Sequence, residues 1–89
     1  MQIRKSAIAG TVESSDLMVR VEPGEGKLEV TIDSAVKERF GDLIRVSVED
    51  VLKAFGVDDA KVFVDDRGAL DCVIRARVET AVRRAVEEV

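Results

Sequence analysis

The hydrophobic period of this chain changes at Ser34, and that change constrains the fold more than any other feature. Before it the apolar residues alternate. Leu17, Val19 and Val21 share one face of an extended segment with Met18 and Arg20 on the other; Leu28, Val30 and Ile32 share a face with Glu29 and Thr31 opposite. Residues 6–11 read as a further strand, with Ile8 and Val12 on the same face. After Ser34 the spacing turns helical. Ile44, Val48, Val51, Leu52 and Phe55 recur on one helix face up to Gly56, and Leu70, Val73, Ile74, Val78, Ala81, Val82 and Ala85 form a second stripe. Between them, residues 60–64 alternate again, with Val62 and Val64 on one face.

The joints follow from turn chemistry. Glu22-Pro23-Gly24-Glu25-Gly26 carries the fixed and positive φ angles of a tight reversal and reads as a β-hairpin turn. Glu13-Ser14-Ser15-Asp16 turns the chain between the first two strands, because serine and aspartate side chains bond to nearby backbone there. Residues 34–41 read as a short helical turn, with Asp42 capping the main helix; residues 65–68 read as a loop, with the last helix starting near Gly68. The expected order is βββαβα. It implies an α+β two-layer sandwich in which two amphipathic helices cover one face of a mainly antiparallel sheet.

At 89 residues the chain fits one domain, residues 1–89, near the lower end of what buries a core of its own. A net charge of −4 repels nucleic acid and anionic membrane and favours basic partners. Arg4 and Lys5 are followed by no long apolar run, so neither a signal peptide nor a spanning helix is read there, and a cytoplasmic location is the expectation. Cys72 stands alone and histidine is absent, which leaves no structural metal site.

That lack of histidine raises the question of what Ser14 and Ser15 are for. A serine hydroxyl needs a positioned base to act as a nucleophile, and Lys5, Lys27, Lys37, Lys53 and Lys61 all lie in charged surroundings. No Gly-x-Ser-x-Gly elbow is present. Catalysis by the chain itself is therefore not expected. The serines either satisfy backbone groups of their turn or offer a point of attachment for another enzyme to use. Glu13 and Asp16 beside them either solvate the loop or form a negative docking patch. The pairs Asp58-Asp59 and Asp65-Asp66 lack the spacing of a calcium loop and read as turns and element boundaries. Cys72 reads as a partly buried small hydrophobe, and Arg75, Arg77, Arg83 and Arg84, interleaved with Glu79, Glu87 and Glu88, as a solvated helix face.

Residues 9–20 (AGTVESSDLMVR), 40–45 (FGDLIR) and 64–79 (VDDRGALDCVIRARVE) together resemble the acyl carrier protein of citrate lyase, the gamma subunit of that complex. The resemblance implies that Ser14 is joined through a phosphodiester to phosphoribosyl-dephospho-coenzyme A, whose pantetheine thiol carries acetyl and citryl groups. It implies a non-catalytic carrier. Its partners are then the citrate lyase alpha subunit (acyl transferase), the beta subunit (citryl lyase) and a prosthetic-group transferase that makes the bond to serine. The net reaction splits citrate into acetate and oxaloacetate. Two other readings stand beside it: the carrier subunit of malonate decarboxylase, which uses the same kind of arm, and an unmodified assembly or regulatory module acting through its acidic face. The Gly68-Ala69-Leu70-Asp71-Cys72 run favours citrate lyase over malonate decarboxylase.

Overall fold

The computed structural model describes residues 1–34 and 37–86, the side chains of residues 37–41 excepted. Its elements are β1 (Ala7–Gly10), β2 (Leu17–Pro23), β3 (Leu28–Ser34), α1 (Lys37–Ala54), β4 (Ala60–Asp66) and α2 (Asp71–Val86). The alternation of β2 and β4 is translated directly into burial. Leu17, Val19 and Val21 of β2 and Ala60, Val62 and Val64 of β4 face the helices, while Arg20 and Phe63 stack on the opposite face at 4.6 Å from guanidinium carbon to ring centroid. Ile44, Val48, Val51 and Leu52 of α1 and Ile74, Val78, Ala81 and Val82 of α2 complete one shared core. The class is α+β, with both helices over one face of the sheet.

The strand order is β1-β2-β4-β3, and this corrects the expected hairpin. β2 and β3 do not pair with each other. β4 lies between them, antiparallel to β2 and parallel to β3. A parallel pair needs a crossover, and α1 supplies it by carrying the chain from β3 over the helical face to β4. The loop through residues 22–26 still reverses the chain, but across the width of an intervening strand. It is stitched to the start of that strand: Gly26 N–H donates to Asp59 Oδ1 (3.0 Å) and Ala60 N–H to the Lys27 carbonyl (3.1 Å). A Cβ at Gly24 would collide with the Asp59 carboxylate and the Ala60 backbone, so the glycine is required by close approach.

Other boundaries shift for local reasons. α1 extends back to Lys37, so Asp42 lies exposed inside the helix rather than capping it; one glycine, Gly41, is tolerated within an 18-residue helix at about 1 kcal/mol. Of the helical turn expected over residues 34–41, Ser34 belongs to β3 and residues 35 and 36 lie outside the described residues. α1 ends as expected at Gly56, with φ +65°. Gly56 N–H donates to the Lys53 carbonyl and Val57 N–H to the Leu52 carbonyl, and Val57 is buried beneath the turn, the pattern of a Schellman cap.

β4 runs on to Asp66, and α2 starts at Asp71, not near Gly68. Leu70 thus precedes the helix and is 72% exposed, and Cys72 is also exposed. The inward face of α2 is set by Ile74, Val78, Ala81, Val82 and Ala85, and position 72 falls on the far side of that stripe. In β1 the inward residues are Ala7 and Ala9, while Ile8 is half exposed and Val12 is exposed. Small side chains let α2 approach this strand closely enough for Arg84 Nη1 to donate to the Ile8 carbonyl at 2.8 Å.

The position of each leucine in this frame sets its energetic weight. Leu52→Ala empties a fully buried site and should lower stability by about 2–5 kcal/mol, whereas Leu70→Ala should stay within about 0.5 kcal/mol of the parent. Urea midpoints of the two variants check this; equal losses would refute the burial assignment.

Candidate functional site

The loop between β1 and β2 is closed at its base by Thr11 N–H donating to the Leu17 carbonyl (3.1 Å). At its tip the Glu13 carbonyl accepts the Asp16 N–H (3.1 Å), which makes Ser14 and Ser15 the two central residues of a β-turn. Ser15 has φ +66°, the left-handed value that the third position of a type II turn demands. A serine held there carries strain. Two backbone bonds hold it: Ser15 N–H to the Arg67 carbonyl (2.8 Å) and Arg67 N–H to the Asp16 carbonyl (2.9 Å). These continue the β2–β4 pairing, which runs from Pro23 opposite Ala60 to Leu17 opposite Asp66, one step past the end of both strands.

Asp16 fixes the loop from the other side. Its Oδ2 accepts from Thr11 Oγ1 (2.8 Å) and its Oδ1 from Leu17 N–H (2.8 Å). Arg77 of α2 reaches across to it in a two-pronged contact, Nε to Oδ1 at 3.1 Å and Nη2 to Oδ2 at 3.4 Å. Together these donors hold the Asp16 carboxyl down to about 2, from an ordinary 3.8; the Thr11 hydroxyl has the largest effect, then the Leu17 amide, then Arg77. Thr11 Oγ1 also accepts from Glu13 N–H (3.2 Å), so the whole loop is clasped.

The outcome is that Ser14 stands exposed at the tip, and its hydroxyl has no hydrogen-bond partner among the described residues. Ser15 is also exposed, but its backbone is committed to Arg67. Glu13 stays in solvent. Asp16 does not form a docking patch with it, since its side chain is 16% exposed and is spent on internal bonds. Arg77 likewise departs from the solvated face expected of it. Nothing in the sequence links it to Asp16, 61 residues away; its one local signal is its place between Ile74 and Val78, at the edge of the buried stripe.

The remaining candidates lie elsewhere. Arg75 bridges Asp71 on its own helix (2.8 Å) and Asp50 on α1 (3.3 Å), while Ser47 donates to Asp71; Arg83 pairs with Glu79 (3.1 Å) and lies over Phe55. Asp65 pairs with Arg67 (2.9 Å), and buried Asp66 accepts from Ser34 Oγ (2.8 Å) and Ala69 N–H (3.0 Å), tying the end of β4 to the turn before α2. Among the described residues no three Asp, Glu or Cys side chains converge in a way that could hold a metal ion, and no helix is long and apolar enough to cross a membrane. One further feature adjoins the serine loop: an apolar groove of about 340 Å³ between α1 and the start of α2, lined by Leu43, Ile44, Gly68, Ala69, Leu70 and Ile74.

The comparisons with known proteins fit this arrangement. A family profile described as "Malonate decarboxylase delta subunit (MdcD)" matches residues 4–85, and the chain belongs to that family of small acyl carrier proteins. More particularly, curated relatives at 49–55% identity are named citrate lyase acyl carrier proteins. The one from Pectobacterium atrosepticum (strain SCRI 1043) is 55% identical over 87 residues, covering 98% of this chain and 91% of the relative. The one from Treponema denticola (strain ATCC 35405) is 51% identical over 88 residues, covering 99% of this chain and all of the relative (100%). Among solved structures, a chain of a Pseudomonas malonate decarboxylase hetero-tetramer in complex with malonate superposes with a TM-score of 0.81 at 27% identity, over 96% of this chain and 88% of that one.

Two variants test the loop. Asp16→Asn should melt below the parent near neutral pH. A carboxyl whose folded pKa is depressed contributes stability above its unfolded pKa and loses it as pH falls through the folded one, so the gap should close between pH 3.8 and about 2. Melting temperature against pH for both proteins reads this; a gap that persists unchanged at low pH would contradict it. Ser15→Gly should relieve the strain at φ +66° and melt at or above the parent, while β-branched Ser15→Val should melt lower.

Proposed function

We propose that this chain is the acyl carrier subunit of a citrate lyase complex, with Ser14 Oγ as the point where phosphoribosyl-dephospho-coenzyme A is attached. The observation that carries the reading is the clasped loop. Its backbone and its one internal carboxylate are tied down, while the Ser14 hydroxyl is left free at the tip. The residues present fit such a group: an exposed, unbonded hydroxyl is open to a modifying enzyme and makes room for a bulky phosphodiester without breaking an internal contact.

When bound, the group supplies a thiol that holds acetyl and citryl groups as thioesters. The chain's own residues do the rest. Ser14 provides the oxygen, and with no histidine in the chain its activation falls to the separate prosthetic-group transferase. Ser15, Asp16, Thr11 and Arg77 keep the turn in one conformation, so that the transferase meets a preformed target and the tether leaves from a fixed position. The carrier delivers and the alpha and beta subunits catalyse.

A malonate decarboxylase carrier is the second reading, favoured by the family profile and by the superposed structure. Identities of 51% and 55% to citrate lyase carriers, against 27% to the malonate decarboxylase chain, support citrate.

Ser14→Ala should fold as the parent does, within about 0.5 kcal/mol, since its side chain is exposed. Reconstituted with the other subunits and the maturation enzymes, it should reduce citrate cleavage to the level of a carrier-free mixture. Full cleavage with this variant would overturn the proposal.

A further inference from the structure

The groove beside the serine loop is apolar and open. Leu43 is 64% exposed and Leu70 72% exposed on its walls, with Ile44, Ala69 and Ile74 deeper. Two exposed leucines on the walls of one concave surface leave room for an occupant. The structure offers one, because the groove begins where the Ser14 turn is anchored. From Ser14 Cα the path runs to Ser15, through the 2.8 Å bond from Ser15 N–H to the Arg67 carbonyl, and on to Gly68 at the groove's edge. Summed over standard bond lengths it limits the Ser14-to-Gly68 Cα separation to about 10 Å. The same clamp that fixes the turn therefore fixes the start of any chain attached to Ser14 close to the groove mouth.

We propose that this groove is a resting cradle for the uncharged, amide- and methyl-bearing middle of the arm carried on Ser14; the inference rests on the carrier reading above. Charge selects that part of the arm. The groove's lining includes Asp66 and Asp71, both already bonded within the protein, and, among the described residues, no lysine or arginine, so it gives the phosphates nearer the tether nothing to pair with while leaving a neutral segment unaffected. Tethering makes a weak site sufficient. A short flexible link holds its end at an effective concentration in the millimolar range, so a groove with an affinity of that order is occupied a substantial fraction of the time. An occupied groove would hold the thioester close to the carrier between visits and release it when a catalytic subunit competes for the arm.

The test uses the full chain with Cys72→Ser, because Cys72 is exposed and would otherwise react with thiol reagents. The protein is matured with its native enzymes, and a coenzyme-A-like mass increment on the Ser14 peptide establishes the arm independently of the groove. Methyl resonances of Leu43, Ile44 and Ile74 should then shift between the unmodified and modified forms. The arm thiol should alkylate about twofold more slowly than free pantetheine at the same pH, the slowing that half-occupancy of the groove produces. Leu43→Glu with Leu70→Glu, both at exposed positions, should restore the free rate and cancel the shifts. An arm-bearing protein with unmoved groove methyls and a free-thiol rate would overturn the cradle while leaving the carrier reading intact. Shifts that arise only on adding a catalytic subunit would overturn it too, and would make the groove a protein contact. Absence of the mass increment would remove both claims at once.

Discussion

β4 is paired along both edges over its whole length, with Ala60 to Asp66 matched to β2 on one side and to β3 on the other. That double pairing organises everything else. It forces α1 to cross over the sheet, since β3 and β4 are parallel, and it brings α1 and α2 side by side on one face. It also delivers Arg67, the residue just beyond the strand, to the Ser14 turn. The turn is thus an outgrowth of the sheet's central ladder rather than a free loop, and its geometry is inherited from the most buried part of the molecule.

The clasp on Asp16 adds a second, electrostatic anchor. One carboxylate accepts from the Thr11 hydroxyl, a backbone amide and a guanidinium on α2, which links the start of β2 to the last helix. The consequence for function is a division of labour between adjacent residues. Ser15 and Asp16 absorb the constraints, one in its backbone and one in its side chain, and Ser14 absorbs none. An arm attached there, as proposed, would gain from a rigid base, because the volume it sweeps would be set by its own length.

What could be read from the sequence was what is encoded locally. The alternation of Leu17, Val19 and Val21 and the helical spacing of Ile74, Val78 and Val82 fix which faces are buried, and the order of elements follows. Sheet order is not local. The Pro-Gly turn after β2 would serve equally for a neighbouring strand or for one a strand's width away, and only the burial of β4 on both sides decides. The shared face of Ile8 and Val12 carried no direction in the sequence, and the close approach of α2 selects the alanines beside Ile8 for the inward side. Leu70 falls in the expected stripe only if α2 begins near Gly68, and Cys72, read as a partly buried small hydrophobe, is exposed because it lies off the buried face of the helix that starts at Asp71. The attachment proposed at Ser14 comes from a resemblance; what the structure adds is an exposed serine whose hydroxyl is spent on no internal bond among the described residues. The Asp16–Arg77 contact was not legible, because pairing across 61 residues leaves no mark in local pattern.

The central claim is that a preformed turn presents Ser14, and not its neighbour, for modification. Its most direct test is peptide mapping, with fragmentation to single-residue resolution, of the protein purified from cells that contain its maturation enzymes. The account predicts a coenzyme-A-like adduct on Ser14 alone, with Ser15 unmodified. An adduct on Ser15, or an unmodified chain in a catalytically active complex, would contradict it.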